Sequence, residues 1–295
     1  PAGYTRIDLH KRYLLPGLIN MHVHLAGNGK IQKKQRDLET LVRRILSNPV
    51  SRAVAYRMVC SFARTELLGG VTTIRTVGGL DTFDTRLRDE IRAGRRIGPR
   101  VLAANEAISV PGGHMAGSVA IAARTVDEAL AQVDAVHAQG ADLVKLMITG
   151  GVMDATERGM PGEVKMPAEM VRAVCERAHA LGIPVVLGND TSCQWVAQYD
   201  FWRELCYFHE YAGASNACAL YCATGQSARM AGLGDVTGTL RPGLCADMLV
   251  TSENPLADLR ALRTLDMVVA RGRIIDRPRP KRSARLDAGL DTLLA

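Results

Sequence analysis

LLPGLINMHVHL, residues 14–25, is where the reading of this chain begins. A Pro-Gly turn feeds a short apolar run that ends in His22 and His24. Alternate residues of a strand face the same side. A strand over residues 18–25 therefore sets both imidazoles side by side, with Val23 on the other face. Two neutral imidazoles on one rigid face make half of a metal site. Two polar residues closing a strand would look the same, so the rest of the chain has to choose.

The 295 residues, 47% of them hydrophobic, suit one large domain, or one large and one small, with a sizeable core. Aromatics are only 4%, so that core is expected to be mostly aliphatic. Net charge is +7, but the Lys and Arg are dispersed, and no interleaved aromatics or nucleic-acid motif accompany them. No nucleic acid is expected as a partner, while attraction of an anionic substrate stays open. The densest basic stretch, RPRPKRSAR at 277–285, reads as a solvated, flexible tail. Seven cysteines without CxxC pairing suggest a reduced, cytoplasmic protein. Cys218 and Cys222 lie four apart in a helical pattern and read as core thiols. No run is long enough to span a membrane, and none is expected as a partner. No signal peptide is read, although a chain opening on Pro1 leaves room for an upstream piece.

Strand and helix alternate along the first two thirds. Helices are expected over 31–47, 50–68 (with Val54, Met58, Phe62 and Leu67 as its apolar stripe), 82–93, 125–137 and 167–181. The helix at 125 carries the Thr125 and Glu128 spacing of a capping box. Strands are expected over 71–77 (VTTIRTV), 100–108, 142–149 (DLVKLMIT) and 183–190 (IPVVLGND). Five such alternations imply an α/β protein with parallel strands, either a doubly wound sheet or a barrel. Barrel function sits at strand C-termini. His22 and His24 end the first strand, His114 follows the third in VPGGHMAG, Lys145 lies in the fourth and Asp190 ends the fifth. Beyond Asp190 two helices (194–212 and 215–231) precede short strands at 238–242, 246–251 and 267–275.

LLPGLINMHVHL resembles the strand-1 signature of the amidohydrolase superfamily. GTLRPGLCADMLVTSENPL (238–256) with MVVARGRII (267–275) resembles its C-terminal β-sandwich segment, and DLVKLMITGGVM (142–153) its strand 4. AHALGIPVV and LGNDTS are similar to further family segments. The set is similar to the imidazolonepropionase-like and Xaa-Pro-dipeptidase-like branch. The resemblance implies a TIM-like (β/α)8 barrel with a small β-sandwich formed by the chain ends. Residues 1–13 would end the N-terminal β segment, 14–233 form the barrel, 234–276 the C-terminal β segment and 277–295 the basic tail. It implies one or two divalent metals, zinc by default, held by His22, His24, Lys145 and Asp190. Lys145 would be carbamylated and bridge the metals, and Asp190 would be the general base. The implied activity is hydrolysis of a small amide, a dipeptide or N-acyl amino acid. A cyclic amide, a lactone or an ester stays open as substrate. A homo-oligomer is expected by the same analogy.

The chemistry of each residue agrees with these roles. A Lys ammonium has no lone pair, so Lys145 can ligate only as a carbamate or after losing its proton. Buried and unpaired it would be costly, although a salt bridge at a barrel mouth would satisfy it. Asp190 in GND could equally cap a helix or shape a turn. His114, between glycines that allow close backbone approach, is a candidate substrate contact, as are Gly150 and Gly151 just past Lys145. His179 lies in a helical pattern and is not carried over as a ligand. His10, His137 and His209 read as structural.

The sequence departs from the family in one respect. Two further histidines, due at the ends of strands 5 and 6, are missing between Lys145 and Asp190. GIPVV reads as the start of strand 5 and LGND as the end of strand 8, so about three βα units of roughly 30 residues each are absent. Either Val186–Leu187 marks an interruption of a longer chain, or the deletion is real and leaves exposed strand edges on a non-catalytic scaffold. Foldability favours an interruption. Intact mass decides the point: a protein heavier than 31.9 kDa carries the missing stretch with two histidines, and a mass of 31.9 kDa makes Val186–Leu187 a real bond.

Overall fold

The computed structural model describes residues 6–27, 37–148, 164–183, 198–212 and 214–292. The expected strand over 183–190, past Ile183, and the first residues of the expected 194–212 helix lie outside these. Two compact units emerge: one from Pro1–Asn20, Arg64–Thr73 and Ala197–Ala295, the other from Met21–Ala63 and Ile74–Val196. No described helix is long and apolar enough to cross a membrane.

In the first unit the two chain ends share one sheet. Strand β1 (Tyr13–Pro16) pairs antiparallel with β7 (Met248–Thr251), which pairs with β8 (Met267–Ala270), and β8 with β9 (Arg273–Asp276). Pro16 sits in β1, an edge strand of this sheet, where a missing N–H is tolerated. Gly17 then turns the chain into β2 (Leu18–Val23), donating its N–H to the Asp247 carbonyl at 2.9 Å. A Cβ on Gly17 would lie 2.1 Å from Thr72 Oγ1, so only glycine fits this turn. Arg271 and Gly272, both with positive φ, make the tight β8–β9 hairpin. The expected β-sandwich is thus one four-stranded sheet among the described residues.

Helix α6 (Phe201–Ala212) is followed by α7 (Asn216–Tyr221) and α8 (Ser227–Met230), joined through a π turn over Cys222–Gln226. One uninterrupted helix was the expectation for 215–231. The widened turn goes with hydroxyl bonds onto the helix backbone: Thr224 Oγ1 donates to Leu220 O and Ser227 Oγ to Cys222 O, each at 2.7 Å. Gly238 packs against it, leaving a Cβ only 2.4 Å from that of Ala228. The expected strand at 238–242 is not formed, because these residues run as bends past that helix. The basic stretch runs without helix to Ser283 with none of its residues buried, and the chain after it is ordered. Helix α9 (Ala284–Asp291) buries Leu286 and Leu290 against Tyr199.

In the second unit the parallel pattern is only partly realised. Strand β3 (Val71–Thr76) lies between β2 and β4 (Arg100–Leu102). The strand expected over 100–108 is split: Asn105 takes a φ of 57° and the chain resumes as β5 (Ala107–Ser109), parallel to β6 (Ala120–Ala122). The Asp142–Ile148 segment adds to β5 through an isolated parallel bridge, Ile108 to Leu146. Helix α4 (Val126–Ala138) is capped by Thr125 Oγ1, which accepts from Glu128 N at 3.1 Å. The Glu128 carboxylate reaches back past Thr125 to Arg124 N at 2.7 Å, one residue beyond a capping box. Val133 and Val136 of α4 pack with Met170, Val174 and Ala178 of α5 (Ala168–Ala180).

No closed barrel is present among the described residues, as the missing βα units of the sequence lead one to expect. Closure requires every strand to be paired on both sides. After the Lys145 segment the described chain supplies helices, and its remaining strands join the other sheet.

Helix α1 (Leu38–Ser47) runs to Asn48, whose Oδ1 accepts from Val50 N at 2.8 Å at the start of α2 (Pro49–Leu68). The expected stripe on α2 is displaced: Val54 and Met58 are exposed, while Tyr56, Val59, Ala63 and Leu67 are buried. The buried face also holds Glu66, fully buried and bonded to the Asn20 side chain, and burial holds its carboxyl well above the ordinary value. A carboxyl whose folded-state value is raised stabilises below its unfolded value near 4.5, and that contribution is lost as pH rises through the folded value. Stability is expected to fall with rising pH across that window. Glu66→Gln, which keeps the Asn20 bond, should flatten the dependence and raise Tm at pH 8 by about 2–4 °C in a thermal scan.

Candidate metal centre

His22 and His24 end β2 with ring centroids 5.3 Å apart and planes at 62°. His24 Nδ1 lies 2.9 Å from the Gly78 carbonyl oxygen. A carbonyl only accepts, so Nδ1 carries a proton, and Nε2 is the nitrogen through which this ring would bind a metal. Metal-ligating histidines are held in this way, with the second ring nitrogen fixed by a backbone carbonyl or carboxylate. The donor chemistry of this ring therefore fits a divalent metal.

Gly78 must be glycine for this contact. Its φ is +142°, and a Cβ there would sit 3.2 Å from His24 Cε1 and 3.3 Å from Met147 Cε. The neighbouring Gly79 donates its N–H to Asn105 O at 2.8 Å. Asn105 Oδ1 also accepts from Thr85 N at 3.1 Å, which ties this turn to α3 (Phe83–Arg92). Asp84, in the first turn of α3, is 1% exposed, and a Cβ on Gly79 would fall 2.4 Å from its Oδ2. Burial pushes the Asp84 carboxyl up to about 6, opposed by the Thr76 hydroxyl and by His24.

Lys145 is among the largest fully buried side chains, at 2% exposure. Its carbonyl accepts from Ile108 N, and Met147 N donates to Ile108 O, each at 2.9 Å. Met147, two residues on in this extended segment, brings its methyl group to Gly78 beside His24. Alternation places Lys145 on the same side of the segment as Met147. His114 is also buried, in the loop after β5. Gly113 N donates to Val110 O at 2.8 Å, and a Cβ on Gly113 would be 2.5 Å from Ser109 Oγ.

The structure thus joins His22, His24, Gly78 and Met147, with Lys145 on the Met147 segment. Asp190, Gly150 and Gly151 lie outside the described residues. Among the described residues no group of three His, Cys, Asp or Glu side chains forms a metal site. Gly78, Gly79, Asp84 and Met147 were not singled out from the sequence. The one available sign was a Gly-Gly pair closing the β-branched VTTIRTV strand.

The sequence profile of the amidohydrolase family matches residues 13–188. A protein from Bifidobacterium longum assigned as a prolidase superposes with a TM-score of 0.81 at 29% identity, over 100% of this chain and 88% of that one. A Xaa-Pro dipeptidase with bound methionine gives 0.67 at 20% identity, over 90% and 87%. Phenylurea hydrolase B gives 0.72 at 18% identity, over 94% and 88%. A comparison with curated proteins finds no match.

Replacing Gly78 by Ala introduces a side chain at φ +142° against His24 and Met147. A loss of about 1–3 kcal/mol is expected in denaturant unfolding of the metal-free protein.

Proposed function

Because this chain belongs to the amidohydrolase family, we propose that it hydrolyses a small amide, a dipeptide or N-acyl amino acid, with a divalent metal held at the end of β2. The chain is a hydrolase acting on C–N bonds, and its family is generally metal-dependent. The observation that carries the metal reading is the 2.9 Å contact of His24 Nδ1 with Gly78 O, the second-nitrogen contact by which metal-ligating histidines are held. The dipeptide reading leans on the prolidase assignment of the Bifidobacterium longum protein.

In this reading His22 and His24 hold the ion, with zinc as the expected metal. When bound, a divalent ion lowers the pKa of water and polarises the scissile carbonyl. Lys145 joins the ligands after its neutral amine adds CO2 and releases a proton, which exchanges a buried cation for an anionic carbamate. Asp190 takes the proton of the attacking water and returns it to the leaving amine. His114, Gly150 and Gly151 contact the substrate.

The test is hydrolysis of a dipeptide panel, Xaa-Pro included, beside a cyclic amide and a lactone. Chelator treatment should abolish turnover and Zn2+ restore it. His22→Asn and His24→Asn should each lower kcat/KM by more than about 100-fold. A metal-free sample with full activity overturns the metal reading. Turnover of the cyclic amide or lactone alone overturns the dipeptide reading.

A further inference from the structure

Asp84 has no place in the proposed chemistry, yet it is a fully buried carboxyl beside a candidate ligand. It sits in the first turn of α3, where an acid is often read as a cap. Its contacts differ from those of a cap. The carboxyl takes a hydrogen bond from the Thr76 hydroxyl, interacts electrostatically with His24, and lies against the backbone of Gly79. Its Oδ2 has no hydrogen-bond partner among the described residues. A buried carboxyl with an unmet oxygen is destabilising. An amide or apolar group of the same size would suit folding better, so a pure packing role does not explain an acid here.

We propose that Asp84 is a positioning residue for His24: it backs the Gly78–Gly79 turn whose carbonyl orients the imidazole, and its negative charge makes that imidazole a stronger donor to a divalent metal. Geometry supports the first half, and the attraction between the Asp84 carboxyl and His24 supports the second. Gly78 presents its carbonyl to His24 at 2.9 Å, and Gly79, the next residue, leaves no room for a Cβ beside Asp84. Asn105 binds Gly79 N through its carbonyl and the α3 backbone through its side chain, so turn and helix move as one piece. A carboxylate beside a ligating imidazole raises the basicity of the ring, and substitutions of such partners weaken metal binding by about 10–100-fold.

The inference rests on His24 being a metal ligand. Its test compares Zn2+ affinity of wild-type protein and Asp84→Asn, both stripped of metal, by competition with a chromophoric chelator, together with Tm of the metal-free forms. The amide keeps the shape and can still accept from Thr76. Zn2+ affinity is expected to fall at least about tenfold, while Tm of the metal-free variant stays equal or rises. A variant that binds Zn2+ as tightly as wild type overturns the inference and leaves the metal reading standing. A variant whose Tm falls together with its affinity also overturns it, because Asp84 then serves folding alone. Wild-type protein that takes up no Zn2+ overturns the metal reading and the inference with it.

Discussion

A single hydrogen bond, from the His24 imidazole to the Gly78 carbonyl, sets what the end of β2 can do. It joins residues 54 apart in sequence and decides which ring nitrogen carries the proton. Other features follow from it. Gly78 must lack a side chain and adopt a φ of +142°, because His24 and Met147 occupy the space a Cβ would need. Asn105 must leave the strand conformation, at φ 57°, so that its carbonyl meets Gly79 while its amide meets α3 and Gln139. The break between β4 and β5 is therefore part of what holds the turn in place.

The other unit depends on buried charge. Arg203 is 2% exposed, stacks its guanidinium 4.5 Å from the Trp202 ring and donates to Asp291 at 2.7 Å. Arg282 bonds Asp287 at 3.0 Å and Asp200 at 3.3 Å, and the Tyr199 hydroxyl accepts from Ser283 N at 2.9 Å. Pairing of this kind ties Arg282 and Ser283, just before α9, to Tyr199, Asp200 and Asp287. Arg suits such sites because its planar fork can stack on an aromatic ring and hold a carboxylate together. The run RPRPKRSAR reads as a solvated tail when only its own charges are counted. Its acidic and aromatic partners at Tyr199 and Asp200 lie about 80 positions upstream.

Much of the architecture was legible from local pattern. The strand carrying His22 and His24, the helix over α5 and the Thr125 cap all follow from periodicity or from local chemistry that needs few distant partners, while the meeting of the chain ends was implied by the family resemblance. The apolar stripe of α2 was misplaced because a helix with hydrophobic residues on several faces does not say which face is covered. The long helix at 215–231 looked continuous because its π turn depends on hydroxyl bonds and on Gly238 arriving from outside. Strand count left a doubly wound sheet or a barrel open and the family resemblance implied the barrel, but closure is a property of pairing at both edges of every strand. Among the described residues that pairing is not made.

By itself the sequence determined that two imidazoles share one strand face, that a lysine lies in an apolar strand segment and that the chain has the motifs of an amidohydrolase. Spacing and residue type are enough for that, since the alternation of a strand is local. Tertiary structure alone decided which nitrogen of His24 is bound to backbone, that Gly78 is the residue holding it, and that Asp84 is buried against the adjoining Gly79. Those facts depend on a carbonyl, a methyl group and a carboxylate delivered by other elements. No local pattern records how a folded chain brings such groups to the Gly78–Gly79 turn that holds the ring.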